Sequence, residues 1–167
     1  LAKSPMAGNP MGPPGLIKGT KYGLEQKPLL SPLYTPCTEP PWSLLVAVDM
    51  VEGSILWKKP FGKLDKLSPL PIGFEWGTPF AGGAITTAGG LIFIGATADE
   101  RFRAFDIETG EKLLEIKAPT SAMATPMSYM ANGRQYVVIA TGGHMWNYPN
   151  GISDELIAYA LPEKLIK

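Results

Sequence analysis

One short pattern returns along this chain at long, near-regular intervals. Ala47-Val48-Asp49 reappears as Ala104-Phe105-Asp106, 57 residues further on, and loosely as Ala158-Tyr159-Ala160, 54 residues after that. Each copy sits in a run rich in Val, Ile, Leu and aromatic residues, bounded by Gly, Asn or Asp, which is the signature of strands joined by tight turns. A repeat of this length in an all-β chain points to the blades of a β-propeller carrying long inserts, since simple blades run ~40–50 residues. Chance similarity among short strands is the alternative.

The turns punctuate the rest. The sequence holds 19 Gly and 17 Pro in 167 residues, more than the usual ~7% and ~5%, and both shorten regular elements. Residues 1–41 carry nine prolines, and no hydrophobic period survives them, so they read as an irregular Pro/Gly-rich arm. From Trp42 strands are predicted at 43–49 and 54–58, an antiparallel hairpin forming a half blade over 44–58. A second Pro/Gly-rich excursion covers 59–80. Strands at 84–88, 91–97, 102–106 and 112–117 then make a full four-stranded blade, 84–117. Strands at 124–130, 135–141 and 155–161 make a three-stranded blade, 124–161. Asn132-Gly133 between two apolar runs is the strongest hairpin signal in the chain. The fold class is therefore all-β, with antiparallel blades in a partial propeller over 42–167.

Charge and cysteine exclude several functions. Fifteen Lys and Arg balance fifteen Asp and Glu, so nothing electrostatic draws the chain to nucleic acid. The single cysteine, Cys37, lacks a disulfide partner and the neighbours of a zinc site. No apolar run reaches the ~18 residues of a membrane span, and no signal peptide is visible. The chain starts at Leu1 rather than Met, which is read as a missing N-terminal part or a trimmed chain.

Ala47-x-Asp49-x-x-x-Gly53-x-x-x-Trp57 resembles the tryptophan-docking motif of eight-bladed quinoprotein dehydrogenases, which joins the third and fourth strands of a blade. A Trp suits such a joint, because it buries ~150–250 Å² and its N–H can still find a partner. The Asp can accept amide N–H bonds in the turn. The second copy runs Ala104-x-Asp106-x-x-x-Gly110 and then has Leu114 in place of Trp, which predicts a looser joint there. Gly82 to Thr97 resembles the strand pair that opens the last complete blade of the pyrroloquinoline quinone (PQQ) glucose and polyol dehydrogenases, and Ala124 to Tyr129 with Gly133 to Ala140 resembles the pair that follows. Asn9-Pro10-Met11, Leu30-Ser31-Pro32 and Pro40-Pro41-Trp42 resemble the run that leads into them. The resemblance covers nearly the whole chain, is weakest over 62–81 and 145–154, and implies the C-terminal part of an eight-bladed propeller.

Cofactor and reaction come from this resemblance alone. It implies PQQ near the propeller axis with a calcium or magnesium ion, and oxidation of a sugar or alcohol by hydride transfer to the quinone. The family's catalytic carboxylate and metal ligands match no residue here, so no catalytic or metal-binding residue is assigned. Asp49 and Asp106 belong to the docking motif; Asp65, Asp99 and Asp154 lie in loops. The positions implied for the cofactor are Ala81, Gly82 and Gly83, which lead into the full blade, and Gly143 with His144, which follow the strand 135–141. Asp99 is implied at the substrate mouth and Trp146 against substrate or quinone, although Met145-Trp146-Asn147-Tyr148 departs from the sugar dehydrogenases and leaves the substrate open.

These readings imply a fragment inactive by itself, which would not necessarily hold PQQ alone. Its open sheet edges are expected to drive self-association or association with missing blades. The resemblance also implies a periplasmic setting and a parent protein with a membrane anchor. The competing reading is a non-catalytic propeller that acts as a protein-binding scaffold.

Overall fold

The computed structural model describes residues 15–16, 21–24, 29–65, 68, 73–78, 81–143 and 151–161. These form eleven strands and no helix. A two-residue ribbon, β1 (Gly15–Leu16) with β2 (Gly23–Leu24), lies in the N-terminal arm. A single bridge, Leu30 to Pro36, follows it, so the arm is not wholly without pairing. Three antiparallel sheets make up the body. They are β3 (Leu44–Asp49) with β4 (Ser54–Pro60), then β5 (Ala84–Thr86), β6 (Leu91–Ile94), β7 (Arg101–Asp106) and β8 (Lys112–Lys117), then β9 (Met127–Ala131), β10 (Arg134–Ala140) and β11 (Leu156–Tyr159). Each sheet runs in chain order, strand beside next strand, as successive blades of a propeller do.

The inner strands of the four-stranded sheet, β6 and β7, are covered on both faces. Ile92, Ile94 and Phe105 meet Phe61, Leu45 and Trp57 from the first sheet and its exit. Phe102 packs on Val137 and Ile139 of the third sheet, with Phe93 and Tyr159 alongside. Successive residues of a strand point to opposite faces, so β7 is buried at four consecutive positions, Phe102 to Phe105. Each fully buried aromatic stabilises by about 2–3 kcal/mol. Phe102 is stacked between Phe93 and Tyr159, at centroid distances of 6.2 and 5.2 Å.

The sequence repeat is a structural repeat. The copies lie at the β3–β4 turn and at the β7–β8 turn, the latter joining the third and fourth strands of its sheet. Asp49 Oδ1 accepts the amides of Val51 and Glu52; Asp106 Oδ1 accepts those of Glu108 and Thr109 and the Thr109 hydroxyl. These bonds lower the pKa of both carboxyls, those from Glu52 and Thr109 most. Gly53 and Gly110 close the turns at φ 64° and 65°. Each copy carries a bulge after its alanine, between Ala47 and Val48 and between Ala104 and Phe105. Local hydrogen bonding therefore dictates one turn twice.

The Trp docks as its motif requires. Trp57 lies opposite Ala47, and its Nε1 donates to the Ile107 carbonyl at 2.9 Å, in the turn of the next sheet. Lys59 Nζ donates to Gly110 O at 2.7 Å beside it. Between the second and third sheets, Leu114 stays 41% exposed, and the joint is carried by the Phe93–Phe102–Tyr159 stack instead.

Most strand ends fall within a few residues of the expected ones, and the differences are informative. β6 stops at Ile94 rather than Thr97. A side chain at Gly95 would come within 2.2 Å of the Ala122 carbonyl, and Ala96 N donates to that same carbonyl at 2.6 Å with φ 56°. β9 starts at Met127, not Ala124, because residues 120–125 run between sheets. Asn132 and Gly133 both have positive φ, 51° and 74°, as a two-residue type I′ hairpin needs.

The two turn glycines are expected to differ on substitution. Nothing lies within 4 Å of a Cβ at Gly53, whereas one at Gly110 would strike the Trp57 ring at 2.7–2.9 Å. Gly53→Ala should cost about 1 kcal/mol, the left-handed backbone alone, and Gly110→Ala ~3 kcal/mol because the indole must also move. Urea denaturation of both variants checks this; equal losses would mean that the Trp57 contact contributes little.

Candidate functional site

The antiparallel registers place short turns at one end of the sheets (50–53, 87–90, 107–111, 132–133) and the long connections at the other. Strand starts at β3, β5, β7, β9 and β11 and strand exits at β4, β6, β8 and β10 all share that second end. Every described candidate residue lies there: Ala81, Gly82, Gly83, Asp99 and Gly143. His144 and Trp146 lie outside the described residues.

One segment gathers them. Residues 120–125, which link the second sheet to the third, touch each candidate stretch in turn. Gly83 N donates to Thr125 Oγ1 at 3.1 Å. A Cβ on Gly82, at φ 127°, would come within 2.2 Å of Met123 O. Ser121 Oγ reaches Ala98 O at 3.4 Å, next to Asp99. Gly143 N donates to Ser121 O at 3.1 Å. Ser121 and Ala122 are fully buried. Gly82 is exposed and Ala81, Gly83, Gly142 and Gly143 are half-buried, so their backbone borders open space. Two of the glycines are thus required by neighbouring backbone: Gly82 by Met123 O, and Gly143 by Gly151 O, 2.5 Å from a Cβ built there. Sequence reasoning missed this hub: 120–123 fell between predicted strands, and 124–125 within one. Its one signal was the run of small residues, Thr120-Ser121-Ala122, after Pro119.

Asp99 requires a correction. Its expected place at a substrate mouth does not agree with its burial, 1% exposed. Arg103, itself 2% exposed, pairs with it through Nη2 to Oδ2 and through Nη1 to Oδ1 at 3.2 Å. Thr97 Oγ1 donates to Oδ1 at 2.6 Å, and the Lys63 amide to Oδ2 at 3.0 Å. Both oxygens are occupied, so Asp99 ties the 61–65 exit of the first sheet to the turn after β6. A buried charge persists only where it is paired and hydrogen-bonded, and sequence spacing could not show that Arg103 would supply the pair.

The pair opens onto a wider network. Arg103 Nε donates to Glu115 Oε2 at 3.0 Å, Arg101 reaches Glu115 at 3.1 Å and Asp65 at 3.5 Å, and Lys112 bridges Glu115 and Glu75 at 2.8 and 2.9 Å. Burial pushes the Glu115 carboxyl up, but Lys112 and Arg103 outweigh it and hold it at about 2. Burial likewise lowers the Arg103 pKa and is outweighed by Asp99 and Glu115, so that it ends raised. Among the described residues no group of three His, Cys, Asp or Glu is arranged to hold a metal ion, and no helix is long and apolar enough to cross a membrane.

Successive antiparallel sheets, stacked face to face and joined by a docked tryptophan, define the class: this is a segment of a β-propeller. Residues 4–137 match the family model described as PQQ: glucose/ethanol/alcohol dehydrogenase, β-propeller domain, and the chain belongs to that family. It is 40% identical to the quinoprotein glucose dehydrogenase of Escherichia coli K12, over 93% of this chain and 22% of that protein. It is 44% identical to quinoprotein glucose dehydrogenase A of Acinetobacter calcoaceticus, over 87% and 18%. It is 42% identical to the glycerol dehydrogenase large subunit of Gluconobacter thailandicus, over 90% and 21%. The chain therefore spans about a fifth of these relatives' length. The crystal structure of the quinohemoprotein alcohol dehydrogenase from Comamonas testosteroni matches 64% of this chain and 13% of its own, at 36% identity and a TM-score of 0.48.

Two outcomes are expected from the charge network. Asp99→Asn should destabilise by about 3–5 kcal/mol, because it leaves Arg103 buried with half its partners; a thermal melt unchanged from wild type would return Asp99 to a surface role. Glu115 has a folded pKa below its ordinary 4.5, so its contribution is complete above the unfolded pKa and is lost as pH falls from about 4.5 towards 2. Glu115→Gln should flatten that part of the acid-unfolding curve while also lowering stability at neutral pH.

Proposed function

We propose that this chain forms part of the wall of a PQQ site in a dehydrogenase that oxidises a sugar or an alcohol. The observation that carries the reading is convergence: Gly82 and Gly83 lie against Met123 and Thr125, and Gly143, far away in sequence, against Ser121, all on the one segment 120–125 at the loop end of the sheets. Family membership supports the cofactor class, and the named relatives support glucose or glycerol as substrates to try first.

The described residues fit one aspect of the cofactor. Small side chains and partly exposed backbone at 81–83 and 142–143 suit the face of a flat ring. They offer no free cation there for its carboxylates, since Arg103 is taken by Asp99 and Glu115, and no ligand set for calcium or magnesium. When bound, PQQ would accept hydride from the substrate carbon. The chain's own contribution is to position and to exclude water, with His144 proposed to donate a hydrogen bond to quinone or substrate and Trp146 to cover one side. The base and the metal ligands are proposed to come from other blades, so the chain alone would turn nothing over. The setting proposed is periplasmic, with the parent protein tied to a membrane.

Open apolar surface supports the need for further blades. On β3 and β4, Leu44, Val46, Val48, Ile55 and Leu56 are 40–60% exposed, on a sheet whose other face is packed. Association with blades of a longer propeller, or with copies of itself, is proposed to cover them.

Titration of the purified chain with PQQ, calcium or magnesium present, followed by tryptophan quenching, tests the reading. Saturable binding that weakens about tenfold in His144→Ala is expected, the loss of one charge-assisted hydrogen bond. The chain should elute above its monomer mass in the same buffer. No binding at high PQQ concentration would remove the cofactor assignment from this chain and favour the scaffold reading; a monomer would remove the proposed association.

A further inference from the structure

Two consecutive residues hold the backbone on either side of Gly142. The Thr120 hydroxyl donates to the Thr141 carbonyl, and the Gly143 amide donates to the Ser121 carbonyl at 3.1 Å. From the opposite side, Ser153 N donates to Gly142 O at 3.3 Å and Thr141 N to Glu155 O at 3.0 Å. The clamp is interior: Thr120 is 8% exposed, and Ser121 and Thr141 are fully buried.

Such holding has a purpose that packing alone does not need. After β10 the chain meets two glycines, which admit many directions at little steric cost. Gly143 takes φ 73°, a left-handed conformation unlike the extended backbone of β10. Of the two bonds from the 120–121 side, one is backbone to backbone and opens more readily when its neighbour is lost. The other depends on a hydroxyl, and Thr120 is the residue that supplies it.

We infer that Thr120 is a positioning residue: its hydroxyl fixes the direction in which the chain leaves β10, and with it the presentation of the Gly142–Gly143 edge. That this edge faces PQQ rests on the proposed function; the clamp itself does not. The Thr120–Thr141 bond also couples the third sheet to the connection that touches Ala81–Gly83 and the Asp99 turn. A change at Thr120 therefore acts on one edge of the candidate site without touching a ligand.

The test compares Thr120→Val, which keeps the shape and removes the hydroxyl, with Thr120→Ser, which keeps the hydroxyl. Amide hydrogen exchange on the intact chain is the first readout and needs no cofactor. In Thr120→Val the Gly143 amide is expected to exchange about tenfold faster, as losing one buried hydrogen bond implies. Amides of β6 and β7 should keep their wild-type rates, and Thr120→Ser should restore Gly143. PQQ titration by tryptophan quenching is the second readout, with an affinity loss of about tenfold in Thr120→Val and recovery in Thr120→Ser. An unchanged Gly143 rate in Thr120→Val would overturn the inference, and so would acceleration spread equally over β5–β8, which reports general loosening. Failure of the wild-type chain to bind PQQ would sink the functional reading alone, because the exchange comparison still decides whether Thr120 holds the loop.

Discussion

Each of the three body sheets carries apolar residues that pack against a neighbouring sheet. That packing organises the rest. It places the four-stranded sheet between its neighbours, buries four successive residues of β7, and demands a joint on each side. One joint is an indole seated on a turn whose glycine leaves room for it. The other is a stack of three aromatic rings. The two solve the same packing problem with different residues, so the loss of Trp at position 114 changes the joint without abolishing the arrangement.

Face-to-face stacking also explains where the chemistry can lie. Short turns need only local bonds and occupy one end of the sheets. The chain must cross from sheet to sheet at the other end, and there backbone groups that no ladder satisfies collect. Buried amides and carbonyls need partners, and residues 120–125 supply them to three stretches at once. The Asp99–Arg103 pair belongs to the same end and serves the same need. It is an interior tie between the first and second sheets, and its removal would expose a cost in stability before any effect on a ligand. The candidate site is thus built on a crossing that the fold already requires.

The docking motif was legible in the sequence because its parts act within a dozen residues. Asp49 and Asp106 cap their own turns, Gly53 and Gly110 take a backbone that few other residues tolerate, and Asn132-Gly133 makes its hairpin unaided. Strand interiors were legible for the same reason, since alternation and β-branched side chains act locally. Strand ends were less so. β6 ends early because Ala122, a residue of another segment, occupies the path beyond Gly95, and nothing near Gly95 announces it. Asp99 looked like a loop acid because it sits in a turn between predicted strands, and its pairing with Arg103 depends on both faces of β7 being covered.

By itself the sequence determined the all-β class, the repeat, the turns and the family, since each is written in neighbouring residues or in a resemblance spread along the chain. Only the tertiary structure decided that Asp99 is interior, that Gly82 and Gly143 answer to nearby carbonyls, and that residues 120–125 bring the candidate stretches together. The physical reason is one of range. Turn chemistry and alternation are settled over a few residues, whereas burial and the pairing of a charge depend on segments tens of residues away that meet only when the sheets stack.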